Sequence, residues 1–235
     1  MPDNQQDAPG PQPNWPPTDG LTTTIVPSGS AILSVYGSAH IDAPATLVWQ
    51  TLRDISAYPD WNTFCPRATI HVQPSSISSA EQNLLHKDTS FTFHVVMDAS
   101  KPANVTDTRL RVTDVSTPTE PSDYIHQGNS RSEEVTYTLD LTKVYRISWT
   151  TEGGFVARGL KSERFNEIID LGPGKGCEVR TWENQGGILA RAVKFYYKDV
   201  LMKKFQQWCT ELKAEAERRA EARDQKDQKV QKNNT

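Results

Sequence analysis

An α+β fold, one long C-terminal helix laid across a curved antiparallel sheet of seven strands, follows from three features of this 235-residue sequence. The first is the stretch from Gly186 to Leu212. Apolar residues recur there at Leu189, Val193, Tyr196 and Val200, and again at Leu201, Phe205, Trp208 and Leu212. Both sets step by four, three and four, which lays each along one side of a helix, with Arg191, Lys194, Lys198, Lys203 and Lys204 largely between them. At about 1.5 Å per residue, Ile188 to Leu212 spans about 37 Å, enough to cross a small domain. The second feature is that the chain from residue 31 to this helix reads mainly as short extended segments. The third is a pair of short helical segments directly after the first strand.

The elements follow in order. Residues 1–29 carry seven prolines and few apolar residues, the composition of a flexible arm. Residues 31–41 form the first strand, with Leu33, Val35 and Ile41 on one side. Asp42 is placed to cap a helix that Pro44 opens, and Leu47, Val48, Thr51 and Leu52 supply its buried face. A second short helical segment lies around Tyr58-Pro59-Asp60-Trp61-Asn62. The next strands are expected at 68–72, 91–97, 110–115 and 145–149. The last two, at 164–171 and 177–183, form a hairpin around Gly172-Pro173-Gly174-Lys175-Gly176. Residues 73–89 and 117–142 are long polar connections, the second with room for an extra strand at 135–141. Residues 216–235 continue the helix as a charged, fraying tail, so the folded domain is expected over 30–215.

Local motifs sharpen the picture. Ser38-Ala39-His40-Ile41-Asp42-Ala43-Pro44, then Val48-Trp49, Asp54, Tyr58-Pro59 and Trp61-Asn62, open the domain; Thr181-Trp182-Glu183 and Gly186-Gly187 close it. This arrangement resembles the helix-grip fold of the START/Bet v 1-like (SRPBCC) superfamily, in its polyketide cyclase/dehydrase-like and Coq10-type branch. The resemblance covers roughly residues 31–215 and implies a hydrophobic small molecule, such as a lipid, quinone or polyketide, held between sheet and helix. Some members only bind it and others cyclise or dehydrate it, so a carrier and a cyclase/dehydratase of secondary metabolism both follow as readings. A module joining a partner through the arm and the charged tail is a third.

Strand alternation assigns the cavity wall. Phe91 and Phe93 point inward and His94 outward; Tyr145 and Trp149 point inward and Arg146 outward. On the hairpin, Phe165 and Glu167 share one inward face, and Thr181 and Glu183 the other. Trp61, Phe155 and Tyr196 complete the expected ligand contacts. Glu167 is the candidate catalytic acid or base, because a carboxylate among apolar walls has its pKa raised. Two plainer alternatives stand beside it: Glu167 pairs with an Arg at the sheet rim, and Glu183 caps the incoming helix, where the dipole favours negative charge. The glycine-flanked connection from Glu152 to Gly159, with Phe155 and Arg158, is placed to cover a cavity mouth.

Composition excludes several classes. A formal charge of -3 gives no footprint for nucleic acid. The five histidines lack metal-ligand spacing, no P-loop or nucleophile motif occurs, and no cofactor is implied. Cys65, Cys177 and Cys209 read as reduced thiols. No apolar run is long enough to span a membrane, and no Lys or Arg precedes Arg53, so neither a signal peptide nor a mitochondrial presequence is expected. The implied location is cytoplasmic.

Overall fold

The computed structural model describes residues 15–18, 20–127, 137–138 and 140–233, apart from the side chains of residues 126, 127, 155, 156, 232 and 233. It contains the expected seven-stranded antiparallel sheet, a long C-terminal helix and short helices after the first strand. The elements are β1 (Leu33–Ile41), α1 (Ala45–Arg53), α2 (Tyr58–Trp61), β2 (Arg67–Val72), β3 (Ser90–Val96), β4 (Val105–Ser116) and β5 (Val144–Thr151). They continue with α3 (Gly154–Gly159), β6 (Lys161–Asp170), β7 (Cys177–Gly186) and α4 (Ile188–Asn233). The strand order is β1-β7-β6-β5-β4-β3-β2. β1 therefore pairs with the last strand, and α1 and α2 carry the chain from one edge of the sheet to the other.

β4 is longer than its apolar residues announce, because Thr106 and Thr108 occupy inward positions that are apolar on neighbouring strands. Its alternation breaks where the register shifts between Val112 and Asp114. A bulge there lets Thr113 join Ser148 and Glu163 on the outer face. Asp42 does not cap α1: Pro44 stands at the cap without a side-chain bond, and Asp42 pairs with His40 at 3.0 Å. Of the expected strand at 135–141, residues 135, 136 and 139 lie outside the described residues, and Leu141 begins a 3-10 turn, Leu141–Lys143.

The concave side of the sheet holds the main core. Tyr58, Trp61, Phe93 and Trp208 meet there with ring centroids 5.0–6.0 Å apart, and this aromatic block joins α2 and the sheet to the middle of α4. Leu201, Phe205, Trp208 and Leu212 are all buried, as their spacing requires. The other expected stripe is not. Tyr196 is 70 % exposed and Val200 is exposed as well, because the first turns of α4 span open space instead of resting on the sheet.

α4 lies directly on β1 at Gly37, where an added Cβ would sit 2.7 Å from the Phe205 carbonyl oxygen. Only a residue without a side chain lets helix backbone and strand approach so closely. α4 begins after Gly187, whose φ of +90° turns the chain off β7 and whose missing side chain leaves room for the Gly159 carbonyl.

The convex side is also covered, by segments whose sequence carries no periodic apolar pattern. Leu21, Ile125, Tyr137, Phe165 and Trp182 form a second apolar cluster there, with Trp15, Tyr36 and Tyr124 at its margin. Trp182 Nε1 donates to the Thr22 carbonyl at 2.8 Å, and Asn184 Nδ2 donates to those of Leu21 and Val26. Residues 20–29, expected to belong to the free arm, thus pack along β7. Their few apolar side chains suffice because β7 supplies hydrogen-bond donors to their backbone.

Replacing Gly37 with Val should force the helix from the strand and cost about 1–3 kcal/mol, the range for overpacking a close contact. A urea midpoint unchanged from wild type would show that α4 does not depend on this approach.

Candidate functional site: a cavity under the first turns of the long helix

A cavity of about 720 Å³ lies between the concave face of the sheet and the N-terminal half of α4. Phe93, Trp149, Leu110, Leu201 and Phe205 give it apolar walls, α3 and the Gly153-Gly154 turn form one lip, and Val193 and Tyr197 form the other. Its size suits a ligand of small-molecule dimensions, and its walls are mostly apolar with a few convergent polar groups.

Those polar groups come from β6 and β7. Arg164 is 3 % exposed, and its Nε donates to Thr181 Oγ1 at 2.9 Å. The guanidinium carbon lies 4.1 Å from the centroid of the Phe205 ring and 4.3 Å from that of Trp208. Burial lowers the pKa of this guanidinium, offset in part by Glu183. No carboxylate oxygen among the described residues lies within ion-pair distance of Arg164, and its Nη2 has no hydrogen-bond partner. Gln185 is also buried: its Nε2 donates to Glu183 Oε1 at 2.6 Å, while its Oε1 is unpartnered. Glu183 sits deep in the fold, with part of its surface facing the cavity. Burial raises its pKa, and the bond from Gln185 and the charge of Arg164 oppose the rise.

Buried donors and acceptors are nearly always satisfied, so an unpartnered guanidinium nitrogen and amide oxygen at one cavity wall mark a place where a polar ligand atom fits. Arg164 offers a fixed positive charge, and Glu183 offers a carboxyl whose proton is held more tightly than usual. A carbonyl, enolate or carboxylate oxygen meets the first; a proton donor or an exchangeable proton meets the second.

The expected site residues divide. Phe93, Trp149 and Glu183 line the cavity. Phe91 points the same way but is covered by Phe93 and Trp149. Thr181 is on the inner face and holds Arg164 in place. Trp61 lies in the aromatic block beyond the cavity, and Tyr145 packs against Trp49 of α1 with centroids 5.6 Å apart. The Phe155 side chain lies outside the described residues. Tyr196 projects into solvent, and its neighbour Tyr197 takes the cavity position. Glu183 makes no bond to the N-terminus of α4, because its strand directs it into the cavity before the chain turns at Gly187.

Glu167 and Phe165 are on the other side of the sheet. On β6 the inward residues are Ser162, Arg164, Asn166 and Ile168, and the outward ones Glu163, Phe165, Glu167 and Ile169. Phe165 stacks on Trp182 at 5.2 Å. Glu167 forms an ion pair with Arg146 at 2.6 Å, with both side chains almost wholly buried. Thr138 closes the pair: its amide donates to Glu167, and its carbonyl accepts from Arg146 Nη2. The plainer expectation of an Arg partner describes this pair, placed beneath Thr138 on the outer face and not at the rim. The face was misread because every residue from Ser162 to Ile169 is buried, so apolar alternation no longer distinguishes inside from outside. Arg164 was missed for the same reason. The available signal was the hairpin register, which places Arg164 opposite Glu183.

Cys65 is at the cavity wall, but burial pushes its thiol up to about 12, and Cys177 and Cys209 likewise, so none supplies a thiolate at neutral pH. Among the described residues no three His, Cys, Asp or Glu side chains converge as metal ligands, and no helix is long and apolar enough to cross a membrane.

Residues 41–182 match the family described as polyketide cyclase/dehydrase and lipid transport. The chain is 32% identical over 187 residues to oxopyrrolidines biosynthesis cluster protein O of Penicillium oxalicum, covering 75% of this chain and 82% of that protein. Among solved structures, a hypothetical protein of Helicobacter pylori superposes with a TM-score of 0.56 at 15% identity, over 88% of this chain and 96% of that one. The Zhui aromatase/cyclase of Streptomyces sp. R1128 superposes with a TM-score of 0.50 at 13% identity, over 79% and 94%. The chain belongs to the polyketide cyclase/dehydrase and lipid transport family, within the START/Bet v 1-like superfamily.

Two outcomes follow for the buried carboxylates. Glu167→Gln leaves Arg146 charged and uncompensated, and should destabilise the fold by about 3–5 kcal/mol while leaving ligand affinity unchanged. A stable variant with altered binding would return Glu167 to the site. Among the described residues Glu163 accepts from neutral donors, including Ile25 N, Tyr124 Oη and Thr113 Oγ1, and burial raises its pKa. A carboxyl whose folded pKa is raised stabilises the fold fully below its unfolded pKa, and that contribution is lost as pH rises. From the ordinary carboxylate range toward neutrality, wild type should therefore lose stability relative to Glu163→Gln. Parallel urea-unfolding curves across that window would contradict this.

Proposed function

We propose that this protein binds a hydrophobic small molecule carrying at least one carbonyl, enolate or carboxylate oxygen, in the cavity between the sheet and α4. The observation that carries the reading is Arg164: a guanidinium buried in apolar surroundings, with an unpartnered nitrogen at the cavity wall. A purely hydrocarbon ligand would leave that cost unmet, whereas an oxygen placed there completes the hydrogen bonding. Gln185 Oε1 would take a ligand hydroxyl or amide, which favours a polyketide-like or acyl-amide compound over a simple lipid.

The second reading is catalysis on such a compound, supported by the relative named for a biosynthesis cluster. Here the acid–base role passes from Glu167 to Glu183. Glu183 removes a proton from a carbon flanked by carbonyls, and Arg164 stabilises the enolate oxygen that forms. The carbanion then closes on a second carbonyl of the same molecule. Glu183 returns its proton to the aldol oxygen, giving a hydroxyl. It then takes the remaining hydrogen from the same carbon and passes it to the departing hydroxyl, so that water leaves and a C=C bond forms in the new ring. A raised pKa suits a group that must accept and return that proton near neutral pH.

Native mass spectrometry of the purified protein, with solvent extraction of anything bound, tests the binding reading. Arg164→Met keeps the apolar packing on Phe205 and Trp208 and should fold, yet weaken affinity for an oxygen-bearing ligand by about tenfold or more. Equal affinity in both proteins would refute the anchor. With a poly-β-ketone thioester as probe, Glu183→Gln should bind as wild type does and lose turnover. Unchanged product formation removes the catalytic role.

A further inference from the structure

Every residue from Arg191 to Val200 is exposed except Val193, which is half-buried. Such exposure is ordinary for the charged residues of the segment, but it includes large apolar side chains. Ile188 is 84 %, Phe195 81 % and Tyr196 70 % exposed, with Tyr197 and Val200 beside them. The Phe195 and Tyr196 rings meet at 4.9 Å and the Tyr196 and Tyr197 rings at 6.4 Å, so they form one aromatic surface. A contiguous apolar patch of this kind marks an interaction site.

The charge around the patch selects the partner. Arg191, Lys194 and Lys198 are on the same turns of α4. Arg158 and Lys161 are on the adjoining α3–β6 segment, where Leu189 packs against Gly159. None of the five makes an ion pair among the described residues, and Asp199 is the only acid from Gly187 to Val200. A basic patch stands here on a chain whose net charge is -3. A second copy meeting it through a two-fold axis would set these cations against their own images, which is repulsive. An anionic lipid surface provides both complements: headgroups for the cations, and an apolar boundary for Ile188, Phe195 and Tyr196.

We propose that the first three turns of α4, with α3 beside them, dock peripherally on an anionic lipid bilayer. The cavity mouth lies at this surface, since Val193 and Tyr197 form one lip and Ala157 and Leu160 the other. Given the binding reading above, a hydrophobic ligand would then pass between bilayer and cavity without crossing bulk water. The docking itself rests on the patch alone.

Flotation of the full chain with vesicles tests it, comparing phosphatidylcholine alone with a mixture containing about one third phosphatidylserine, at low and high salt. The chain should float with the anionic vesicles at low salt, and high salt should weaken that binding. Phe195→Ser/Tyr196→Ser should reduce the bound fraction about tenfold, and Lys194→Glu/Lys198→Glu should abolish the preference for anionic vesicles. All four side chains are exposed, and circular-dichroism melting confirms that the variants fold. No flotation at low salt, or flotation unchanged in both variants, overturns the proposal. A dimer in sedimentation that Phe195→Ser/Tyr196→Ser disperses, without flotation, also overturns it and assigns the patch to a second copy of the chain.

Discussion

The guanidinium of Arg164 is the point on which sheet, helix and cavity converge. It leaves β6 on the concave side, is held by Thr181 of β7, and lies against the faces of Phe205 and Trp208 on α4. Cation–π contact with three rings, those of Phe205, Trp208 and Trp149, partly replaces the water that burial removes, and Glu183 contributes a favourable field without an ion pair. Below this point, toward α1 and α2, the space is filled by aromatic rings. Above it, toward α3, the space is open. Arg164 therefore sits at the floor of the cavity, where the solid core ends.

The two faces of the sheet solve different problems with similar residues. The centre of the outer face buries two carboxylates with partners: Glu167 with Arg146 beneath Thr138, and Glu163 among neutral donors that include Tyr124 and the N-terminal segment at Ile25. The inner face leaves donors and acceptors incomplete at Arg164 and Gln185. A satisfied buried pair fixes the placement of a covering segment, whereas an unsatisfied one invites a ligand.

The α4 helix has a divided character along its length. From Leu201 to Ala216 it is a core element, gripped by β1, α1 and α2, and close to β1 because Gly37 has no side chain. Before that it bridges an opening and exposes apolar residues on its far side. The same helix thus anchors the fold and forms one lip of the cavity.

The sequence by itself determined the architecture. The spacing from Leu201 to Leu212, the period-two runs at Phe91–Phe93 and Tyr145–Trp149, and the opening motifs through Trp61-Asn62 each encode a local periodicity that needs no partner to be read. Inward directions on β3, β5 and β7 were legible for the same reason, and with them Phe93, Trp149 and Glu183. Tertiary structure alone decided the rest. On β6 both faces are buried, so alternation carried no direction, and Glu167 exchanged places with Arg164 as the residue facing the cavity. On α4 the stripe through Tyr196 has the period of a buried face, but burial depends on what lies opposite, and opposite it is open space. Periodicity specifies which residues share a side; only the packing of distant segments specifies what that side meets.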